Sequence, residues 1–228
     1  MRKTVLVASA IMALRPRLLD SVSIFALVEA VAQRYQFKSV PTPDQLSHGP
    51  ANFHYGKIER EGRTIVIDQL LVTYIDVRAT SISASTKTST DDAAFFLTDL
   101  LQFAHTEFAL DVTKTYPDYF HSILEVAYDK VISFPDFQQF GELITSLVRG
   151  YGFNSMPEYQ LTAINLHVDP TIPMLPQGLP FTFERRAGAA FSENKYFSRG
   201  PLTTEDHEHV LLEIERVFST PKSVTALH

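Results

Sequence analysis

Apolar residues recur along this chain with two periods, and the switches between them mark out its elements. Ile24, Val28, Val31 and Tyr35 fall at spacings near 3.6 residues, which predicts an amphipathic helix capped by Asp20 or Ser21. It should end before Pro41, because proline disfavours the helical conformation in the residue that precedes it. Pro41 to Pro50 is rich in turn formers and reads as a loop. The period then drops to two. Phe53 and Tyr55 alternate with polar neighbours, Arg60-Glu61-Gly62-Arg63 supplies a hairpin turn, and the β-branched run from Thr64 to Asp76 predicts a strand divided near Asp68-Gln69. Another strand is expected from about Val77 to Ser85.

The helical period returns in Ala93, Phe96, Leu97, Leu100, Leu101 and Ala104, a wide stripe that predicts a core-facing helix with Asp91 and Asp92 at its positive end. Leu124, Val126 and Tyr128 alternate along a strand from His121 to Asp129. Pro135 then stands at its preferred first position of a helix. Gln160 to Val168, Phe181 to Arg185 and Ala189 to Ser198 read as strands. Asp169 to Pro180 holds four of the thirteen prolines and cannot be regular structure. Thr203 to Asp206 cap a last helix carrying Val210, Leu211, Ile214 and Phe218, and a frayed tail is expected from Ser219 onward. Phe96, Leu100, Ile144, Leu147, Leu211 and Ile214 are the expected core.

The pattern also repeats at long range. Tyr35, Phe37, Ser39 and Pro41 return as Tyr151, Phe153, Ser155 and Pro157, each 116 positions later, and upstream Leu27, Val28 and Val31 return as Leu143, Ile144 and Leu147. Asp76-Val77-Arg78-Ala79 matches Glu184-Arg185-Arg186-Ala187 at an offset of 108, and Thr90-Asp91-Asp92 matches Thr204-Glu205-Asp206 at 114. Near-doubling of a 228-residue chain predicts a duplicated domain, with 1–112 as first copy and 113–228 as second. A solenoid would repeat about every 20–50 residues. The expected fold is α+β: strand, helix, about three strands, helix, twice over, in a mainly antiparallel sheet with helices packed on one face. This element order resembles duplicated sheet-and-helix ligand-binding modules and acidic secretion-chaperone folds, a likeness of topology that fixes no residue's role.

Arg2-Lys3 followed by the apolar run Thr4 to Leu14 has the charge pattern of a secretory signal, yet its counterpart before the second echo, Ser122 to Tyr128, reads as a strand. A strand is therefore expected over Thr4 to Ala10, in a cytoplasmic protein, with export the alternative. The run is too short to span a bilayer, so no transmembrane segment is expected.

With 45% apolar and 20% charged residues the chain can fill a core. A net charge of −6 and a pI near 5.7 argue against a nucleic-acid partner, which needs clustered Lys and Arg. The chain has no cysteine, which removes disulfides, thiolate zinc sites and cysteine nucleophiles together.

Candidate chemistry is sparse. Asp206-His207-Glu208-His209 is the most metal-like tetrad, but residues two apart on a helix do not share a face, so a solvated acidic first turn is the plainer reading. Asp76-x-Arg78 and Glu184-x-Arg186 place an acid and an arginine on one face of a strand, where each can pair with the other. The alternative reading has Arg78 and Arg186, with Arg185 and Lys195 nearby in sequence, holding a small anionic ligand by forked hydrogen bonds in a cleft between the copies. Tyr-x-Phe-x-Ser-x-Pro reads as a seal at a helix exit. GxSxG, GxxxxGK[ST] and GxGxxG are all missing, so hydrolase and nucleotide-binding chemistry lack their usual signatures. No catalytic residue, metal or cofactor is assigned. The expectation is a non-enzymatic interaction or assembly protein that binds a partner polypeptide or self-associates through a sheet face or edge. A small-ligand protein comes second and a hydrolase third.

Overall fold

A computed structural model describes residues 1–14, 24–48, 50–76, 79–110, 116–149, 160–167 and 180–219. Among these residues the chain forms eight strands and five α-helices, and the fold is α+β. In order they are β1 (Arg2–Leu14), α1 (Ile24–Arg34), α2 (Pro43–His48), β2 (Ala51–Arg60), β3 (Arg63–Asp76), β4 (Ala79–Thr86) and α3 (Thr90–Phe108). Then come β5 (Tyr119–Ala127), α4 (Pro135–Arg149), β6 (Ala163–Leu166), β7 (Phe181–Arg185), β8 (Lys195–Gly200) and α5 (Thr204–Phe218). Two compact units result. The larger comprises Val5–Leu124 and Gly200–His207, the smaller Met1–Thr4, Glu125–Arg199 and Glu208–His228.

In the larger unit β2, β3, β4 and β1 are neighbours in that order, with antiparallel register between each pair. Alternation does the sorting. Phe53, Leu70, Ala84 and Ala10 stand opposite one another across the four strands, as do Ala51, Val72, Ile82 and Met12 in the next row, and this face is the core side. The other face is polar: the hydroxyls of Ser9 and Ser85 lie 2.8 Å apart, and Gln69 donates to Asn52 at 3.0 Å. Val31 of α1 and Phe96, Leu97, Leu100 and Leu101 of α3 complete the core, with Leu27 and Val28 packed against it. Tyr35 meets Phe96 edge to face at 4.9 Å, and its hydroxyl donates to Asp99 at 2.7 Å. Burial, reinforced by that carboxylate, raises the Tyr35 hydroxyl well above its ordinary range.

The hairpin between β2 and β3 turns through Glu61 (φ 52°) and Gly62 (φ 78°), the two left-handed residues that a tight hairpin needs. β3 itself is continuous from Arg63 to Asp76; the expected division near Asp68-Gln69 does not occur, and Gln69 pairs with His54 on one side and Ser85 on the other. The expected loop at Pro41–Pro50 contains α2. Thr42 and Gln45 form a reciprocal cap, Thr42 Oγ1 accepting from the Gln45 amide and Gln45 Oε1 from the Thr42 amide, with Pro43 in the first turn. α3 starts at Ser89, whose hydroxyl accepts from the Asp92 amide.

The Tyr-x-Phe-x-Ser-x-Pro segment after α1 closes the outer edge of β2. Tyr35 and Ser39 carbonyls accept from the Lys57 and His54 amides, and the His54 carbonyl accepts from Lys38 and Ser39. The Phe37 ring covers Gly56 so closely that a Cβ there would stand 2.5 Å from it. The helix-exit reading thus gains a second part: the segment also covers an edge strand. Its counterpart, Tyr151 to Pro157, lies outside the described residues, as do Asp20, Ser21 and the proline-rich Asp169 to Leu179.

In the smaller unit β8, β7 and β6 are successive antiparallel neighbours. Phe183 and Tyr196 stack at 4.5 Å and Tyr128 meets Tyr196 at 5.7 Å, its hydroxyl donating to the Leu211 carbonyl. Ala189 to Ser198, expected as one strand, splits into a 3-10 turn at Phe191–Glu193 and β8. The cause is Asn194, which takes a left-handed conformation (φ 52°) and whose buried amide donates to the carbonyls of Tyr128 and Lys130.

Two core expectations fail. Phe96, Leu100 and Leu211 are buried and Ile214 half-buried, but Ile144 and Leu147 are 42% and 58% exposed. With Phe140 and Leu143, both 56% exposed, they form one stripe along α4. Periodicity puts the four on one side of the helix; it does not say which side rests against the rest of the unit. Here the opposite side turns toward a cavity, which Gln138, Gly141, Glu142 and Thr145 line.

Candidate functional site

That cavity, about 540 Å³, is the most site-like feature among the described residues and belongs wholly to the smaller unit. Its apolar wall includes Ile132, Phe134 and Leu161. Gln138, Glu142 and Thr145 come from α4, and Arg185 from the end of β7. Thr145 donates its hydroxyl proton to the Gly141 carbonyl, and Glu142 Oε1 accepts from the Gln138 amide at 2.9 Å.

Arg185 is held in place from several directions. Its amide donates to the Thr162 carbonyl at 2.8 Å, and its guanidinium donates to the Phe191 carbonyl at 3.1 Å. The guanidinium carbon lies 4.6 Å from the Phe191 ring centre and 5.1 Å from that of Tyr196, in range of cation–π attraction. No carboxylate among the described residues pairs with Arg185. An arginine oriented by aromatic faces and left without an acid can receive an anionic group with little reorganisation.

The other predicted site residues are placed differently. Arg186 pairs with Glu125 at 3.1 Å, not with Glu184, and its amide donates to the Lys195 carbonyl. The same-face argument stops applying because β7 ends at Arg185, so Arg186 is already off the strand. Glu184 is exposed on β7. Asp76 ends β3 opposite Ala79, but its side chain, like the whole of Arg78, lies outside what is described. Of Arg185, Arg186 and Glu184, the ones among the five whose side chains are described, only Arg185 lines the cavity.

Two polar centres were not foreseen, both in the larger unit. Asp92, fully buried in the first turn of α3, accepts on Oδ1 from Arg60 at 3.0 Å and Arg63 at 2.6 Å. These arginines flank the hairpin turn, so the centre ties that hairpin to the positive end of a helix. His207, read as part of a solvated turn, is fully buried, its Nδ1 2.7 Å from the Ser122 hydroxyl. The Ser122 hydroxyl also donates to the Leu202 carbonyl at 3.0 Å, which suits the His207 tautomer carrying its proton on Nδ1 and donating to Ser122. That tautomer cannot take the serine's proton, and the pair reads as a satisfied core contact. Burial, with His121 nearby, lowers the His207 pKa to about 4. The signal for this burial was present in the sequence: His207 lies four positions before Leu211 on the stripe that Leu211 shares.

Among the described residues no three His, Cys, Asp or Glu side chains are placed to hold one metal ion, and no helix is long and apolar enough to cross a membrane. No family model matches the chain, and no curated protein matches it.

Proposed function

We propose that this is a non-enzymatic interaction protein that binds a partner polypeptide or a second copy of itself. The observation that carries the reading is the exposed stripe Phe140, Leu143, Ile144 and Leu147 on α4. Four large apolar side chains at i, i+3, i+4 and i+7 are the anchor spacing of a helix that lies against another polypeptide. Such contiguous apolar surface is typical of an interaction site. The sheet edge, the other expected route, is taken up at β2 by the chain's own Tyr35 to Ser39.

The test is a pair of variants, Leu143→Asp and Leu147→Asp. Both should leave the melt within about 0.5 kcal/mol of the parent, as surface changes do. Both should abolish co-purification with a partner, or self-association seen by sedimentation. Association that survives in both folded variants rejects the reading.

We also propose that the chain is internally duplicated. Apart from the short α2, which stands only in the first run, the order β-α-β-β-β-α occurs twice, and the strand order β2-β3-β4 in one unit is that of β6-β7-β8 in the other. Further support comes from Thr90 and Thr204, 114 residues apart, which bond reciprocally: each hydroxyl accepts from the other's amide at 2.9 Å. Nuclear Overhauser contacts of Phe153 test the idea. If they do not reproduce the setting of Phe37 over its edge strand, the duplication fails.

A further inference from the structure

We infer that the cavity of the smaller unit binds a zwitterionic ligand, an apolar α-amino acid or short apolar peptide, with its carboxylate on Arg185 and its ammonium on Glu142. The inference concerns the inward side of α4 and does not depend on association through the outward side.

Three observations converge. The volume, about 540 Å³, lies within the range of small-molecule sites, roughly 300–1,000 Å³. Among the described residues its lining carries one cation and one anion, Arg185 and Glu142, beside neutral side chains. A simple anion drawn to Arg185 would be opposed by Glu142, and a simple cation by Arg185, whereas a ligand bearing both charges satisfies both. Finally, the two charged groups are oriented but not consumed. Arg185 spends one bond on the Phe191 carbonyl and keeps its remaining donors, and Glu142 accepts from Gln138 on Oε1 and keeps Oε2. Neither forms an ion pair with another described residue.

The rest of the lining fits the body of such a ligand. Ile132 is buried, and Phe134 and Leu161 are half-buried, so together they offer an apolar wall. Gln160 can serve a peptide amide where the ligand is longer than one residue. Arg185 is pre-set by the Phe191 and Tyr196 rings, which reduces the side-chain ordering that binding would otherwise require.

Titration calorimetry on the full chain provides the test, with L-phenylalanine, L-leucine and the dipeptide Leu-Phe as probes. Each is compared with two analogues that lack one charge: 3-phenylpropanoate and 2-phenylethylamine for phenylalanine, and the corresponding acid and amine, or N-acetyl and amide forms, for the others. At least one zwitterion should bind, and removing either charge should weaken it about tenfold or more. Whether the amino acids or the dipeptide bind more tightly decides between the two sources. Arg185→Gln should remove the preference for a carboxylate and Glu142→Gln the preference for an ammonium, while Arg185→Lys should restore part of the first. If Arg185→Gln fails to fold, the analogue series on the unaltered protein still decides. The inference is overturned if single-charge analogues bind as tightly as the zwitterions, or if no probe binds at millimolar concentration.

Discussion

α1 and α4 carry the same pattern and use it in opposite ways. Leu27, Val28 and Val31 correspond to Leu143, Ile144 and Leu147 at a constant offset of 116. In α1 these residues face the aromatic core of the larger unit, where Tyr35 and Phe37 crowd around Phe96. In α4 they face outward, and the polar side of the helix turns toward a cavity. An amphipathic period therefore states that one face of a helix will be covered, but not by what. A body of the same chain covers it in the first case, and in the second the stripe stands exposed, the surface on which the proposed association rests.

The sharpest way to break this comparison is to put a charge at the matching positions. Val31→Asp places a carboxylate in a fully packed site and should cost about 3 kcal/mol or more in urea melts, whereas Leu147→Asp should cost less than about 0.5. Equal losses would mean that the two helices are buried alike. A second test, of similar size, uses pH. His207 has a folded pKa of about 4 against an ordinary 6.5, so below 6.5 the unfolded chain takes up a proton that the folded one refuses. The stability this supplies is complete above pH 6.5 and is lost as pH falls toward 4, on the order of 3 kcal/mol in all. His207→Gln should flatten that part of the profile; a profile that stays steep places His207 at the surface after all.

Smaller effects refine the picture at the helix starts. Ser89→Ala removes the hydroxyl that accepts from the Asp92 amide and should cost about 1 kcal/mol, and Thr203→Ala, which loses the like bond to Asp206, should cost about the same. Smallest of all is Ile144→Ala, expected within about 0.5 kcal/mol of the parent in the same melts. A loss of about 2–5 kcal/mol, usual for a buried aliphatic residue, would return Ile144 to the core.

What could be read from the sequence follows the range of the physics involved. The hairpin at Glu61-Gly62, the α3 stripe and the alternation of β5 depend on neighbours a few residues away, and they are legible there. So is the α+β class. The α2 cap, Thr42 with Gln45, is equally local, but three prolines near it suggest an unbroken loop and hide it. The direction of the α4 stripe, the choice of Ser122 as the partner of His207 and the Glu125 partner of Arg186 all depend on which distant element arrives alongside, and no local period encodes that. For the candidate site, the repeated acid-x-arginine pattern singles out Arg78 and Arg186, with Arg185 only beside them. Only the fold shows that Arg185, and not Arg186, meets the cavity and that Glu142, from a helix some forty positions earlier, shares it.

The mutual bond between Thr90 and Thr204 has a kinetic consequence. Each hydroxyl shields the amide that begins the other's helix, and both threonines are buried, so parting the two helix starts exposes both amides at once. In hydrogen–deuterium exchange the two protons, 114 residues apart, should therefore disappear with one rate constant and one response to denaturant. Removing the hydroxyl at either position should accelerate both.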